Sequence, residues 1–172
     1  FMDLAEAKGA VDPATRQIMA YLLPSIAVPK GNPKGITSLP DLTRPGLRLG
    51  IGNPETVCLG TFAVDIFRKA GLWEQVQPNI VVNTKSCEDT ATVLVLGQVD
   101  AVIGWDVFDD WQPQRITVIP LLKEQIVKTG NIPIAISSFS KNRPWAQRFI
   151  DWITSAEGKA YFAGQGYAIS PP

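Results

Sequence analysis

The sequence has 172 residues, of which 45% are hydrophobic and 19% are charged, and sixteen basic residues balance sixteen acidic ones. This composition is typical of a soluble globular protein with one core or two small lobes, and the zero net charge gives no general attraction for nucleic acid or anionic lipid. Histidine is absent, which excludes Ser-His-Asp and Cys-His catalysis and removes the commonest metal ligand.

The N-terminus carries no recognisable export or membrane signal. Residues 1–4 lack the basic region and long apolar core of a signal peptide, and they resemble the middle of a helix. No segment reaches the run of about 20 apolar residues that a membrane-spanning helix needs. Apolar residues within 1–8 predict a short helix that ends at Gly9.

A turn-rich segment follows the first predicted strand. Residues 26–28, Ile-Ala-Val, are typical of a short strand. Residues 29–35, Pro-Lys-Gly-Asn-Pro-Lys-Gly, form a cluster of breakers that favours a connection between two lobes. We therefore expect the first crossover between lobes here.

From residue 47 onward, strands alternate with helices. The predicted helices cover 61–70 and 88–96, and the predicted strands cover 47–51, 80–82, 100–104 and 116–120. Strands and helices that alternate over short loops predict an α/β fold with a mainly parallel sheet.

The C-terminal part is predicted to return to the first lobe. Residues 132–137 predict a strand, and residues 142–144 start a helix with proline in its first turn. The buried stripe of this helix is predicted to comprise Trp145, Phe149, Ile150 and Ile153. Thr154 and Glu157 have the spacing of a capping box for a final helix.

Two strand–loop–helix units give the main functional signal. The loop 53–60 precedes the helix that begins near Thr61, and the loop 84–87 precedes the helix that begins near Glu88. A helix N-terminus offers unpaired N–H groups and about half a positive charge, which suits an anion without any cationic side chain. Two such ends at one cleft would surround an oxyanion, although many α/β proteins have such turns and bind nothing.

Other motifs are weak. Gly50 and Gly52 lack the third glycine of a dinucleotide-binding loop, and the Walker A and G-x-S-x-G motifs are missing. The acidic residues near the end of the third strand of this alternating region favour a solvated face over a metal site: Asp106, Asp109 and Asp110.

The two cysteines occupy equivalent places in the two loops. Cys58 and Cys87 each come just before a predicted helix, so converging loops would bring the sulfurs close enough to bridge, while two small buried thiols are the alternative. Trp105 is predicted at the carboxyl end of a strand, the edge at which open α/β sheets bind ligands.

Several segments share the pattern of one family. Residues 50–57, Gly-Ile-Gly-Asn-Pro-Glu-Thr-Val, with Gly60 are similar to a G-D/N-P-E-x-V loop. Residues 1–17 and 26–31 near the N-terminus also match, as do residues 155–159 in the last helix and residues 164–167 at its Gly-Tyr end. On these segments the chain resembles the periplasmic molybdate-binding proteins of ABC importers along essentially its whole length.

The resemblance implies a two-lobed type II periplasmic binding protein fold with the anion in the cleft. Residues 1–30 and 132–172 would form lobe 1, and residues 31–131 would form lobe 2. The protein would be a binding protein and not an enzyme, located in the periplasm or otherwise outside the cytoplasm. Its partners would be a small oxyanion and the permease of an ABC importer.

The resemblance also implies the ligand contacts. Carried over by position, backbone N–H groups of Leu59 and Cys87 would hold the oxyanion, with Cys58 and Ser86 beside them. The family's hydroxyl-bearing tyrosine aligns with Trp105, which offers one N–H donor and no hydroxyl. No metal or cofactor is expected, since the oxyanion itself is the ligand.

Besides Trp105 in place of the family's tyrosine, the chain departs from the family by an N-terminal truncation. Family members carry a further strand and helix of the first lobe, which supply serine ligands and precede the part that matches Phe1. A chain without them would expose a sheet edge and apolar surface, so we expect self-association or pairing with the missing N-terminal segment.

The sequence therefore predicts an extracytoplasmic solute-binding protein that captures molybdate or tungstate for ABC-type import. Another small anion such as sulfate or phosphate is an alternative ligand. A sensor or interaction fragment without transport activity is a second alternative.

Overall fold

A computed structural model describes residues 1–171 as two compact units. The smaller unit combines Phe1–Leu22 with the chain from Gly130 onward, and the larger unit spans Leu23–Thr129. The sequence prediction put these boundaries after residue 30 and before residue 132. The first boundary lies earlier because residues 24–29 form a strand inside the sheet of the larger unit.

The described residues contain seven strands and seven α-helices. The strands are β1 (Gln17–Leu22), β2 (Pro24–Pro29), β3 (Leu49–Gly52), β4 (Ile80–Thr84), β5 (Ala101–Trp105), β6 (Ile116–Pro120) and β7 (Gly130–Ile134). The helices are α1 (Met2–Ala7), α2 (Cys58–Lys69), α3 (Trp73–Val76), α4 (Cys87–Val95), α5 (Phe108–Trp111), α6 (Arg143–Thr154) and α7 (Ala156–Gly164).

The larger unit is built on a five-stranded sheet in the order β4-β3-β5-β2-β6. β3 is parallel to β4 and β5, whereas β2 is antiparallel to β5 and β6. The prediction of a mainly parallel sheet was therefore wrong, and the sheet is mixed. Parallel neighbours need a crossover connection. Helix α2 lies in the connection from β3 to β4, and helix α4 lies in the connection from β4 to β5. No helix separates β1 from β2 in the chain.

The core of the larger unit lies between this sheet and its helices. Every residue of β5 is buried, and only the last residue of β2 is partly exposed, so these two neighbouring strands form the centre of the core. Helix α2 packs its apolar stripe on the sheet through Leu59, Ala63, Ile66 and Phe67. This packing holds the first turn of α2 at the end of β3.

The smaller unit contains the antiparallel pair β1 and β7, with helices α6 and α7 against β1. No element had been predicted for β1.

The predicted buried stripe of α6 was largely wrong: Ile150 is buried, but Trp145 and Phe149 are 64% and 54% exposed. The predicted capping box was also wrong, because the Ser155 hydroxyl accepts the Gly158 N–H and caps α7.

Within residues 1–171, none of the helices combines the length and the apolar character needed to cross a membrane.

Candidate functional site

The ends of three strands meet at one edge of the larger sheet. β3 and β4 are parallel with Gly52 opposite Thr84, and β5 is parallel to β3 with Ala101 opposite Leu49. Parallel strands end at the same edge, so the loops after β3 and β4 start side by side, next to Trp105 at the end of β5. The Asn53 N–H donates to the Thr84 carbonyl oxygen over 2.8 Å and joins the two loops.

Asn53 organises the first loop. Its carbonyl oxygen accepts the N–H groups of Thr56 at 3.2 Å and Val57 at 2.8 Å, and its side-chain oxygen accepts the Glu55 N–H at 2.9 Å. Because this single residue closes the turn, α2 begins at Cys58 and not near Thr61 as predicted. The sulfur of Cys58 therefore lies on the first turn of the helix and not in the loop before it.

Ser86 and two threonines organise the second loop. The Ser86 hydroxyl accepts the Asp89 N–H at 3.0 Å and caps α4, which begins at Cys87. Below it, the buried hydroxyls of Thr84 and Thr90 lie 2.5 Å apart, and Thr90 also donates to the Ser86 carbonyl oxygen. In the described part of the chain, the Cys87 N–H has no acceptor, so it is an open donor at this helix end.

Trp105 lies beneath the second loop. Its indole N–H donates to the Cys87 sulfur at 3.3 Å, and its ring meets the Phe62 ring edge-on with centroids 5.4 Å apart. The side chain is buried, so this N–H is committed to Cys87 and not open to a ligand. Lys128 Nζ in turn lies 6.0 Å from the Phe62 ring centroid. Sequence reasoning missed Phe62, although its position one helical turn after Cys58 was a usable signal.

The two cysteines are free thiols in contact with each other. The pKa of Cys58 is lowered to about 6, chiefly by a hydrogen bond from the Cys87 thiol and also by the N–H groups of Leu59 and Cys58, which together outweigh the effect of burial. The same hydrogen bond, together with burial, raises the pKa of Cys87. At neutral pH the reduced site therefore carries a thiolate at Cys58, stabilised by the helix N-terminus.

All five predicted site residues lie at this edge, in three different roles. Cys58, Cys87 and Trp105 are joined by direct side-chain contacts. The Leu59 side chain is fully buried, so only its backbone faces the site, and Ser86 caps α4. That these residues bind a ligand stays a prediction.

The acidic residues after β5 are not arranged as metal ligands. Asp106 accepts the Leu23 N–H at 3.0 Å, which ties the start of the larger unit to the end of β5. Within residues 1–171, no group of three or more His, Cys, Asp or Glu side chains is placed to hold a metal ion.

A separate cavity of about 220 Å³ runs along one face of α4. Its lining includes Glu88, Ala91, Val95 and Trp111. A carboxylate among apolar side chains repels an anion, so this cavity is not a candidate for the oxyanion.

Comparison with known proteins assigns the family. The family model described as bacterial extracellular solute-binding protein matches residues 1–168. The chain belongs to this family. Its members are solute-binding proteins, which confirms the prediction of a binding protein and not an enzyme.

Two curated relatives illustrate the range of the family. A Haemophilus influenzae protein is named as a binding protein, and its name states no ligand. It is 29% identical over 150 residues that cover 84% of this chain and 58% of the relative. The molybdate-binding protein ModA of Escherichia coli is 25% identical over 176 residues that cover 98% of this chain and 66% of the relative. The chain thus spans between 54% and 66% of the length of the curated relatives it matches.

Solved structures confirm the fold. The sulfate-binding protein SubI of Mycobacterium tuberculosis superposes with a TM-score of 0.81 at 18% identity, over 99% of this chain and 66% of that one. This solute-binding protein therefore has the predicted α/β architecture of the type II periplasmic binding proteins.

Proposed function

We propose that this protein binds a tetrahedral oxyanion, molybdate or tungstate, at the first turns of α2 and α4. It would serve as the extracytoplasmic solute-binding component of an ABC importer, with the permease as its partner. The observation that carries the proposal is the convergence of two helix N-termini at one sheet edge in a member of the solute-binding protein family.

The proposed contacts are backbone donors. Among the described residues, the N–H groups of Cys58, Leu59, Cys87 and Glu88 donate to no protein oxygen, so they are available to an anion. The network of Asn53, Thr84 and Thr90 holds both loops before any ligand arrives. Preorganised donors offset the loss of hydration of the anion without reorganisation at the moment of binding.

Molybdate and sulfate share charge and shape, so selection between them would depend mainly on the size of the site. Sulfate is the second candidate ligand. It is favoured by Trp105, whose single N–H is committed to Cys87, since this leaves no counterpart of the hydroxyl expected from the molybdate-binding family.

Thermal unfolding against molybdate, tungstate, sulfate and phosphate tests the proposal. The chain is measured with reductant and after mild oxidation, because the charge on Cys58 differs between the two forms. Ligand at about one hundred times its Kd stabilises the fold by ~2.7 kcal/mol, a readily measured shift. A shift with molybdate and tungstate supports the proposal, a shift with sulfate alone supports the second candidate, and no shift in either form contradicts both.

A pair of variants tests the backbone contact. Cys87→Pro and Cys87→Ala both remove the thiol, but only proline removes the N–H at the first position of α4. Proline is well tolerated there because Ser86 before it is already extended. Loss of one hydrogen bond to an anion costs about 1.5–3 kcal/mol, so we expect Cys87→Pro to bind roughly 10- to 100-fold more weakly than Cys87→Ala. Equal affinities would contradict the contact.

A further inference from the structure

Two residues of the candidate site have a chemistry that anion binding does not use. Cys58 and Cys87 are the only cysteines of the chain, and they come from different loops. β3 and β4 end side by side, and Trp105 donates to the Cys87 sulfur while its ring packs on Phe62, one turn after Cys58. The two thiols are therefore neighbours, each on the first residue of a helix.

The two thiols differ in the way that a thiol–disulfide pair requires. Cys58 is exposed and lies at a helix N-terminus, so it is reachable and ionised, which are the properties of an attacking thiol. Cys87 is half-buried against Trp105, whose indole N–H is directed at its sulfur. It is reached from Cys58 more readily than from solvent, which is the property of a resolving thiol.

We propose that Cys58 and Cys87 form a reversible disulfide that joins the first turns of α2 and α4. The oxidant is a low-molecular-weight disulfide of the extracellular medium, an oxidising environment in which such bonds persist.

The chemistry proceeds in two exchange steps. The Cys58 thiolate attacks one sulfur of the small disulfide, forms a mixed disulfide and releases one small thiolate. Cys87 then loses its proton and attacks the Cys58 sulfur, which closes the protein disulfide and releases the second small thiolate. The protein loses two hydrogens, the small disulfide is reduced to two thiols, and a small reducing thiol reverses both steps.

Closure would change the anion site, and this part of the inference rests on the proposed function. In the reduced form, the Cys58 thiolate places a negative charge on the donors that an oxyanion would use. A disulfide is neutral, so oxidation removes this repulsion. We expect the oxidised form to bind the oxyanion at least about tenfold more tightly than the reduced form.

Titration of the 172-residue chain with mixtures of oxidised and reduced glutathione tests the disulfide directly. Mass spectrometry after thiol blocking counts the free thiols, and non-reducing electrophoresis separates internal from intermolecular bonds. We expect a monomer that has lost two hydrogens and regains them with reduced glutathione. Two free thiols in excess oxidised glutathione, or only intermolecular bonds, would overturn the proposal.

Single variants assign the two roles. Cys87→Ser leaves the attacking thiol without its resolving partner, so this variant should accumulate a mixed disulfide with glutathione at Cys58. Cys58→Ser should remain mostly unmodified, because Cys87 is shielded. Equal modification of both variants would overturn the assignment.

The anion titrations of the two redox forms separate this inference from the proposed function. A disulfide that forms in a chain showing no anion-dependent shift would leave the thiol pair standing and contradict the proposed function. Equal anion binding by both forms would support the proposed function and overturn the link between oxidation and affinity.

Discussion

A Cβ atom on Gly60 would lie 2.1 Å from the carbonyl oxygen of Gly52, which means that the first turn of α2 rests directly on the backbone at the end of β3. The carbonyl group of Gly52 belongs to the backbone, so it cannot move aside as a flexible side chain would. In an ordinary helix, Gly→Ala stabilises by about 1 kcal/mol, but here the overlap outweighs this gain. We expect Gly60→Ala to destabilise the fold by about 2 kcal/mol or more in urea unfolding and to weaken anion binding.

Gly164→Ala is the matched control for Gly60→Ala. Gly164 ends α7, has no positive φ, and a Cβ there meets no atom within 4 Å. This variant should be neutral or slightly stabilising. If both variants behave alike, the close approach of α2 to β3 is not the reason for glycine at position 60.

The reactivity of Cys58 should follow its own ionisation. Its pKa is lowered to about 6, chiefly by the hydrogen bond from Cys87, so the rate of alkylation by iodoacetamide should rise with pH, reach half its maximum near pH 6 and level off. Cys87→Ala removes the donor and should move the midpoint upward, toward the ordinary thiol value of about 8.5. Rates followed by mass spectrometry check this, and a wild-type midpoint at the ordinary value would contradict the contact between the thiols.

Asp100 joins the starts of β3 and β5 through Arg48. Its buried carboxylate accepts the Arg48 backbone N–H at 2.9 Å and the guanidinium at 2.8 Å, and these bonds lower the pKa of Asp100. A lowered pKa contributes stability above the unfolded value of about 3.9, and the contribution is lost as pH falls through the folded value. We expect Asp100→Asn to cost about 1–3 kcal/mol in urea unfolding at pH 7 and less near pH 3.

The exposed residue Asp110 supplies the control for this pH dependence. Asp110→Asn should change the free energy of unfolding by less than about 0.5 kcal/mol at either pH. A loss for Asp100→Asn that is the same at pH 7 and pH 3 would show that the ion pair is not its origin.

Asp106 should behave in the opposite way. Burial raises its pKa, although the Leu23 N–H donates to its carboxylate. A raised pKa contributes stability below the unfolded value, and this is lost as pH rises through the folded value. An asparagine oxygen can accept the same N–H without carrying a charge. We expect Asp106→Asn to raise the free energy of unfolding at pH 7 by about 0.5–1 kcal/mol, with the gain vanishing in acid. A destabilised variant at pH 7 would contradict this account.

The sequence by itself was sufficient for most elements of the larger unit, although not for the short helix α3. The alternation of apolar runs and breakers predicted β3, α2, β4, α4, β5 and β6 in the right order, because strand and helix periodicities are local properties. It also placed each cysteine just before a predicted helix, whereas each is the first residue of its helix. Helix α2 nevertheless begins three residues earlier than predicted, because Asn53 closes the preceding turn with its own carbonyl oxygen and side chain.

The periodicity of the sequence could not predict which residues of α6 are buried. An amphipathic stripe shows which face of a helix is apolar, but not how far its neighbours cover that face. Ile150 is buried, whereas Trp145 on the same predicted stripe is 64% exposed.

The tertiary structure alone decided what the site residues touch. The sequence determined that Cys58, Cys87 and Trp105 each stand where a strand or loop meets the next element. Only strand order brought them together, because β3 lies between β4 and β5 and aligns their carboxyl ends. Pairing between distant strands depends on the whole sheet, so the Trp105 hydrogen bond to Cys87 and the contact of the two thiols have no local signature in the chain.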